Sequence, residues 1–286
     1  MNPKITIVIG TLNRPNIVTS LIKQLEQVAK KILLEVIIFD QSISENYLEL
    51  KKKFPKKNNF ILVHLEKPNT CKYLNLGWKK AKAPIVLYLD DDVTITEKTI
   101  TSHIDSFNDP LTQAVAGRVI NDGEVTAADP RVGKIFWFGA EFTKNFSYNR
   151  ERYVDFPYGC NMSFRKKTLE AVGGFDERLA PPIYSFNEID IGYRISKRWH
   201  NAIVFKPEAL VYHHHYKSGG TRNNFTQEEI FHGNQFNYGY FLGKNFSWIE
   251  NIACFFRKLP YQIIKEPKAI PDILQGFISG KKTRKK

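Results

Sequence analysis

IVLYLDDDV, from Ile85 to Val93, is an apolar run that ends in three consecutive carboxylates, Asp90, Asp91 and Asp92. Its first five residues have the length and composition of a buried strand. Adjacent acids repel one another, and a packed core accepts them only with a cation or a basic group among them. The stretch therefore predicts a strand whose carboxyl end holds a metal, at the edge where open α/β sheets bind their ligands. The alternative is three water-facing acids that cap the segment that follows, Ile95 to Ile100.

Outward from this strand the chain alternates extended and helical patterns. Ile5 to Ile9 is β-branched, TLNRP (Thr11–Pro15) reads as a turn, and Ile17 to Val28 has apolar residues at helical spacing. Leu33 to Phe39 is a second strand closing on Asp40, Tyr47 to Phe54 a helix, Phe60 to Leu65 a third strand and Leu74 to Ala81 another helix. Strands alternating with helices predict a parallel sheet with right-handed crossovers, so that Thr11, Asp40 and Asp90 open on one edge.

Composition sets the outer limits. The 286 residues, 42% of them hydrophobic, suffice for one large domain or for a domain with an appendage. A net charge of +13 points to an anionic partner: a nucleotide, a nucleic acid or an acidic membrane surface. Cys71, Cys160 and Cys254 are odd in number and widely spaced, which argues against a disulfide framework or a zinc cluster and fits a reducing cytoplasm. No apolar stretch has the length of a membrane span, and the first ten residues lack the features of a signal peptide. The basic KKTRKK at 281–286 reads as a disordered tail.

The second half adds PYGCNMSFRK (Pro157–Lys166), GGFDERL (Gly173–Leu179) and FNEIDIGYRI (Phe186–Ile195). Taken in order with TLNRP, Asp40, the Asn75-x-Gly77 step and the acid triplet, these motifs resemble an inverting family 2 glycosyltransferase of the nucleotide-diphospho-sugar transferase (GT-A) fold, from about Ile5 to Arg222. The resemblance implies an α/β fold with a Rossmann-like, mostly parallel sheet flanked by helices. It places a GT-A domain over 1–225, with a nucleotide-binding half at about 1–118 and an acceptor-side half at about 119–225. A basic helical extension follows at 226–286.

The same resemblance assigns roles that the chemistry supports. A leaving nucleoside diphosphate gains charge that a carboxylate-held divalent cation neutralises. Asp92 matches the metal-binding acid of the family's D-x-D, and Asp90 the acid that reaches the ribose or the metal's water shell. Asp91 is suited to either role, and Mn²⁺ or Mg²⁺ is the expected cofactor. Thr11, Asn13, Arg14 and Asp40 fall around the nucleoside, with Lys72 as a base or phosphate contact. Asp40 has the alternative of capping a helix. Asn161, Met162 and Arg165 lie where the family positions donor sugar and acceptor. An inverting transfer needs one base, and where the family reads E-D-x-D this chain has Asn187, Glu188, Ile189, Asp190, which puts Glu188 at the base position with a side chain one methylene longer. Asp190 falls on the acceptor side, and its i,i+4 spacing to Arg194 favours an ion pair.

Strand alternation through VYHHHYKSGGTR (Val211–Arg222) puts His213 and His215 on one face. The family often completes its metal shell with a histidine near this point, for which His213 is the choice and His215 the close alternative. Gly219, Gly220 and Arg222 suit a diphosphate, since glycines admit backbone N–H groups to an anion and arginine forks onto its oxygens. Further on, Phe246, Ile249, Ile252, Ala253, Phe256 and Leu259 recur at helical steps among Lys244, Arg257 and Lys258. Packing on the chain's own domain is the favoured reading of that face, and an anionic membrane surface the alternative.

The expected function is transfer of a sugar from a UDP or dTDP donor to a glycan or lipid-linked saccharide in polysaccharide biosynthesis. The expected place is the cytoplasm, with the inner face of a membrane as the alternative. Two other readings compete. A non-catalytic sugar-nucleotide or glycan-binding relative draws support from the Asn187-Glu188 departure. A nucleic-acid phosphotransfer enzyme shares YLDDD with polymerase palms, but those use antiparallel hairpins, and no nucleic-acid partner is expected.

Overall fold

Strands β1 (Ile5–Thr11), β2 (Leu34–Asp40), β3 (Phe60–His64) and β4 (Ile85–Asp90) run parallel in the order β3-β2-β1-β4, as the alternating pattern predicts. The structure, a computed structural model, describes residues 2–136, 141–216, 220 and 225–284. Helices α1 (Pro15–Val28), α2 (Ser44–Lys53) and α3 (Thr70–Lys80) form the crossovers. They cover both faces of the strands, so Ile7, Val8, Ile9, Ile37 and Val86 are wholly buried and the strands read as continuous apolar runs. Gly77 explains part of the Asn75-x-Gly77 step: a Cβ there would lie 2.5 Å from the Val8 side chain, so α3 packs this closely on β1 only with glycine.

After the triplet come β5 (Val93–Thr94) and α4 (Glu97–Ser106). Thr96 caps α4 in a reciprocal box with Thr99, so the acids are not needed as its cap. The chain continues through β6 (Ala114–Asn121), the separate ribbon of β7 (Lys134–Phe136) and β8 (Glu141–Thr143), then β9 (Arg152–Tyr153), β10 (Asn161–Arg165), α5 (Lys166–Ala171), α6 (Asn187–Arg198) and β11 (Ile203–His213). The main sheet extends from β4 through β10, β6 and β11 to β5, with β10 antiparallel to both neighbours and β11 parallel to β6. Register then brings the chemistry to one edge: Thr11 lies beside Asp40, Gly10 beside Asp90, and His213 beside both Asn121 and Val93.

Helices α7 (Gln227–Asn245), α8 (Trp248–Lys265) and α9 (Ile270–Arg284) complete the chain. Helix α7 buries Tyr240, Phe241 and the following Phe246 in the main core. It meets α9 at backbone contact, since a Cβ on Gly239 would overlap the Ile273 carbonyl and one on Gly276 the Phe236 carbonyl. Two expectations are corrected here. Residues 281–284 are not a loose tail but the last turn of α9, where the Arg284 guanidinium donates to the Phe246 carbonyl at 2.7 Å. The apolar face of α8 also fails to pack on its own domain. Ile249, Ile252 and Phe256 are exposed, Phe256 by 74%, together with Trp248 and Phe255. The α7–α9 pair closes on itself, and α8 turns inward the side that carries Cys254. All three cysteines are buried.

Candidate active site

A cleft of about 830 Å³ opens along the carboxyl edge of the sheet. The acids that end β4 line it and diverge in function. Asp91 turns inward, accepting a hydrogen bond from the Thr11 hydroxyl at 2.7 Å and an ion pair from Arg14 at 3.0 Å. Burial, with Asp92 and Asp90 adjacent, raises its carboxyl to about 7 against the opposing pull of Arg14 and Thr11. Asp92 is bound on both oxygens, by Arg14 at 3.0 Å and by the Nε2 of His213 at 3.0 Å. Burial works to raise it, but the hydrogen bond and charge of His213 and the charge of Arg14 prevail and hold it below the ordinary carboxylate value.

Asp90, Asp92 and His213 form a convergent set, with one donor atom from each lying within 4.8 Å of the others. The Nδ1 of His213 faces the Asn121 side-chain oxygen at 3.1 Å, and donation there leaves Nε2 as the nitrogen turned to the carboxylates. That is the outer-sphere arrangement that orients a histidine ligand. Two carboxylates and one imidazole, with open positions on the cleft side, fit a hard divalent cation that takes its remaining oxygens from a diphosphate. His215 packs against His213 with ring centres 3.9 Å apart and the rings tilted by 47°, and shares the Asn121 oxygen at 2.7 Å. His214 takes the opposite face, between Thr94 and Asp122.

Across the cleft stands the first turn of α6, entered through Phe186 in the left-handed conformation at φ 70°. Its two acids part company. Glu188 lines the cleft, whereas Asp190 is buried among Arg194 at 2.9 Å, Lys244 at 2.8 Å and Asn245 at 2.8 Å. Burial alone would raise Asp190, but the charges of Arg194 and Lys244 hold it below its ordinary value.

Residues 6–173, more than half of the sequence, match the family described as Glycosyl transferase family 2. The chain belongs to glycosyl transferase family 2. A glucosyl-dolichyl phosphate glucuronosyltransferase of Haloferax volcanii is 23% identical over 185 residues, which is 63% of this chain and 59% of that protein's length. Among solved structures, Staphylococcus aureus TarS 1–349 aligns with a TM-score of 0.62 at 14% identity, covering 96% of this chain and 81% of the other. GalNAc-T7 with UDP, GalNAc and Mn²⁺ aligns with a TM-score of 0.64 at 15% identity, covering 92% and 52%. These neighbours carry the GT-A fold.

Several residues of this family 2 chain lie elsewhere than the sequence suggested. Asp190 is withdrawn from the acceptor side into its ion cluster, and its spacing to Arg194 is fulfilled. Arg165 is also removed from the sugar side, its guanidinium donating to the Thr112, Phe107 and Asp109 carbonyls, and so is Asn161. Strand alternation sends it toward α4, where its amide bonds His103 and the carbonyls of Arg118 and Ala209, while the next residue, Met162, lines the cleft. Asn13 latches two loops through Ser42, Ile43 and Asn46, and Asp40 accepts the Ser42 N–H at 2.7 Å; neither lines the cleft. Asp40 is no cap either, because Ile43 holds that position on α2. Lys72 is exposed on α3 away from the cleft, and its neighbour Tyr73 lines it instead, seated on Gly10. Thr11 and Arg14 do reach the cleft, yet both are engaged with the acids. Arg14 further donates to the Tyr216 carbonyl and packs against Gly220, where a Cβ would overlap it. Arg222 and Gly219 lie outside the described residues.

Sequence reasoning missed Asn121, whose signal is its place as the parallel partner of His213, visible only once β6 and β11 are known to pair. It also missed Asn234, Gln235 and Tyr238, which bring α7 into the cleft wall.

Proposed function

We propose that the protein is a metal-dependent inverting glycosyltransferase. In this reading it moves a sugar from a nucleoside diphosphate, UDP or dTDP favoured, to a lipid-linked saccharide at an anionic membrane surface, as a step of polysaccharide biosynthesis. The observation that carries the reading is the convergence of Asp90, Asp92 and His213 on one side of a cleft that has Glu188 on the other. Mn²⁺ or Mg²⁺ held by those three residues would neutralise the charge gathering on the departing diphosphate. Asn121 fixes the His213 tautomer, and Arg14 keeps Asp92 ionised and turned to the cleft. Glu188 takes the proton of the acceptor hydroxyl, a role closed to Asp190, which is buried in its ion cluster and does not line the cleft.

Support for the donor comes from the S. aureus TarS structure in complex with UDP-GlcNAc, which aligns with a TM-score of 0.64 at 13% identity, covering 96% and 79%. Support for a lipid-linked acceptor comes from the Haloferax volcanii relative, named for a sugar on dolichyl phosphate. No described helix is long and apolar enough to cross a membrane. The exposed apolar face of α8, with Arg257 and Lys265 beside it, suits the surface of an anionic bilayer at the cytoplasmic side. Helix α8 also ends next to Glu266, which lines the cleft.

Calorimetric titration with UDP, dTDP and GDP, each with and without Mn²⁺, tests the proposal. Mn²⁺-dependent binding of one diphosphate, lost in Asp92→Ala, is the expected result. Binding of none, or equal binding by the variant, overturns it.

A further inference from the structure

The two walls of the cleft differ in chemistry. The sheet edge supplies the acids, Arg14 and His213, whereas α7 supplies neutral amides and an aromatic ring in Asn234, Gln235 and Tyr238. Phe186 continues that wall, its ring 5.9 Å from Tyr238 and 5.4 Å from Phe142, and it leads directly into the turn that carries Glu188.

Two asparagines three residues apart on α7 behave differently. Asn237 is fully buried and saturated, accepting the Ala180 N–H at 2.6 Å and donating to the Ala180 carbonyl at 3.0 Å and the Ser185 hydroxyl at 3.2 Å. It pins α7 to the loop that precedes Glu188, helped by Gly233, where a Cβ would overlap the Pro181 carbonyl. One turn earlier Asn234 lines the cleft, and its side-chain oxygen is shielded from water without a hydrogen-bond partner among the described residues. A buried amide oxygen left unpaired is unfavourable, and rotation about the last side-chain bond presents an acceptor or a donor pair to the cleft.

We infer that α7 carries the subsite for a saccharide acceptor, with Asn234 and Gln235 reading its hydroxyls and Phe186 and Tyr238 forming the apolar wall on which the sugar ring rests. A neutral, polyhydroxylated ligand needs both donors and acceptors without net charge, together with an apolar surface for its C–H face, and α7 offers that combination. The subsite rests on the transferase reading and extends it. A sugar held there has a hydroxyl within reach of Glu188 while the donor diphosphate lies on the charged wall.

The test is saturation-transfer NMR on the full chain loaded with UDP and Mn²⁺, using the methyl glycosides of glucose, galactose, mannose and N-acetylglucosamine as probes. At least one glycoside is expected to bind wild type, and Asn234→Ala and Gln235→Ala to weaken it roughly two- to tenfold each while UDP affinity is unchanged. Unchanged UDP affinity shows that the variants are folded. Binding of no glycoside, or glycoside binding indifferent to both substitutions, overturns the subsite. Failure of wild type to bind any of UDP, dTDP and GDP overturns the transferase reading beneath it.

Discussion

In the half built from β1 to β4, aliphatic side chains fill both faces of the sheet and the reactive polar groups stand at strand ends, outside the core they depend on. In the extension built from α7 to α9, helices meet backbone to backbone through glycines, and the charged groups themselves join the parts. Lys244 on α7 donates to Asp176 at 2.7 Å and to Asp190 at 2.8 Å, which lies two residues from Glu188. Chemistry and stability are thus separable in the first region and entangled in the second.

The largest effect is expected at Glu188, on α6, which lies between the two regions in the chain. Glu188→Gln should cost at least about 100-fold in transfer with UDP affinity and unfolding midpoint unchanged, because a general base contributes roughly 10²- to 10⁴-fold. Wild-type turnover in this variant would remove Glu188 from the mechanism. Lys244→Met should show the entanglement. Removing one partner of a buried ion cluster costs about 3–5 kcal/mol, and the shift it allows in the first turn of α6 should lower kcat while leaving UDP affinity intact. Denaturant unfolding and steady-state kinetics on the same preparation check both, and a stable, fully active variant would separate the two regions after all.

His103 probes the first region's junction with β10. Burial pushes its imidazole down to about 4, between Ser163 and Asn161 at 2.8 Å each. Unfolded, the same ring titrates near 6.5. Between those values the unfolded chain binds the extra proton, so the stability is complete above about pH 6.5 and declines as pH falls toward 4, by a total on the order of 3 kcal/mol. Urea midpoints at pH 7 and 4.5 should diverge in wild type and converge in His103→Gln. A smaller loss, about 1–3 kcal/mol, is expected for Gly276→Ala, whose added carbon must push α9 from α7. Unchanged stability there would show that the helices have room to part. The smallest effect on folding belongs to Trp248→Ser with Phe256→Ser, within about 0.5 kcal/mol because both are exposed. Cosedimentation with phosphatidylglycerol vesicles should nevertheless be lost, and retention would assign α8 another role.

The same contrast decides what the sequence discloses. Buried on both faces, β1 to β4 appear as unbroken apolar runs, and three adjacent acids have few explanations besides a cation, so the sheet and its charged edge could be read directly. Asn161 could not, because alternation assigns it a face without saying that α4 covers that face. Arg14 presented itself as a nucleoside contact, since nothing local reveals that two carboxylates 77 and 78 residues away will claim it. Amphipathic spacing marked the α8 face correctly as apolar, but whether anything remains to cover it depends on α7 and α9 having closed on each other. Lys244 reads as one basic residue among many until the fold sets it beside Asp176 and Asp190.

The reciprocal glycines of α7 and α9 constrain substitution in this chain as well as its fold. Gly239 and Gly243 face the carbonyls of Ile273 and Phe277, and Gly276 and Gly280 face those of Phe236 and Tyr240. Any replacement adds atoms, and no shrinkage in the partner can answer it, because the partner surface is main chain. A replacement at any of the four positions must therefore part α9 from α7, and the joint between the two helices is fixed by the side chains these residues lack.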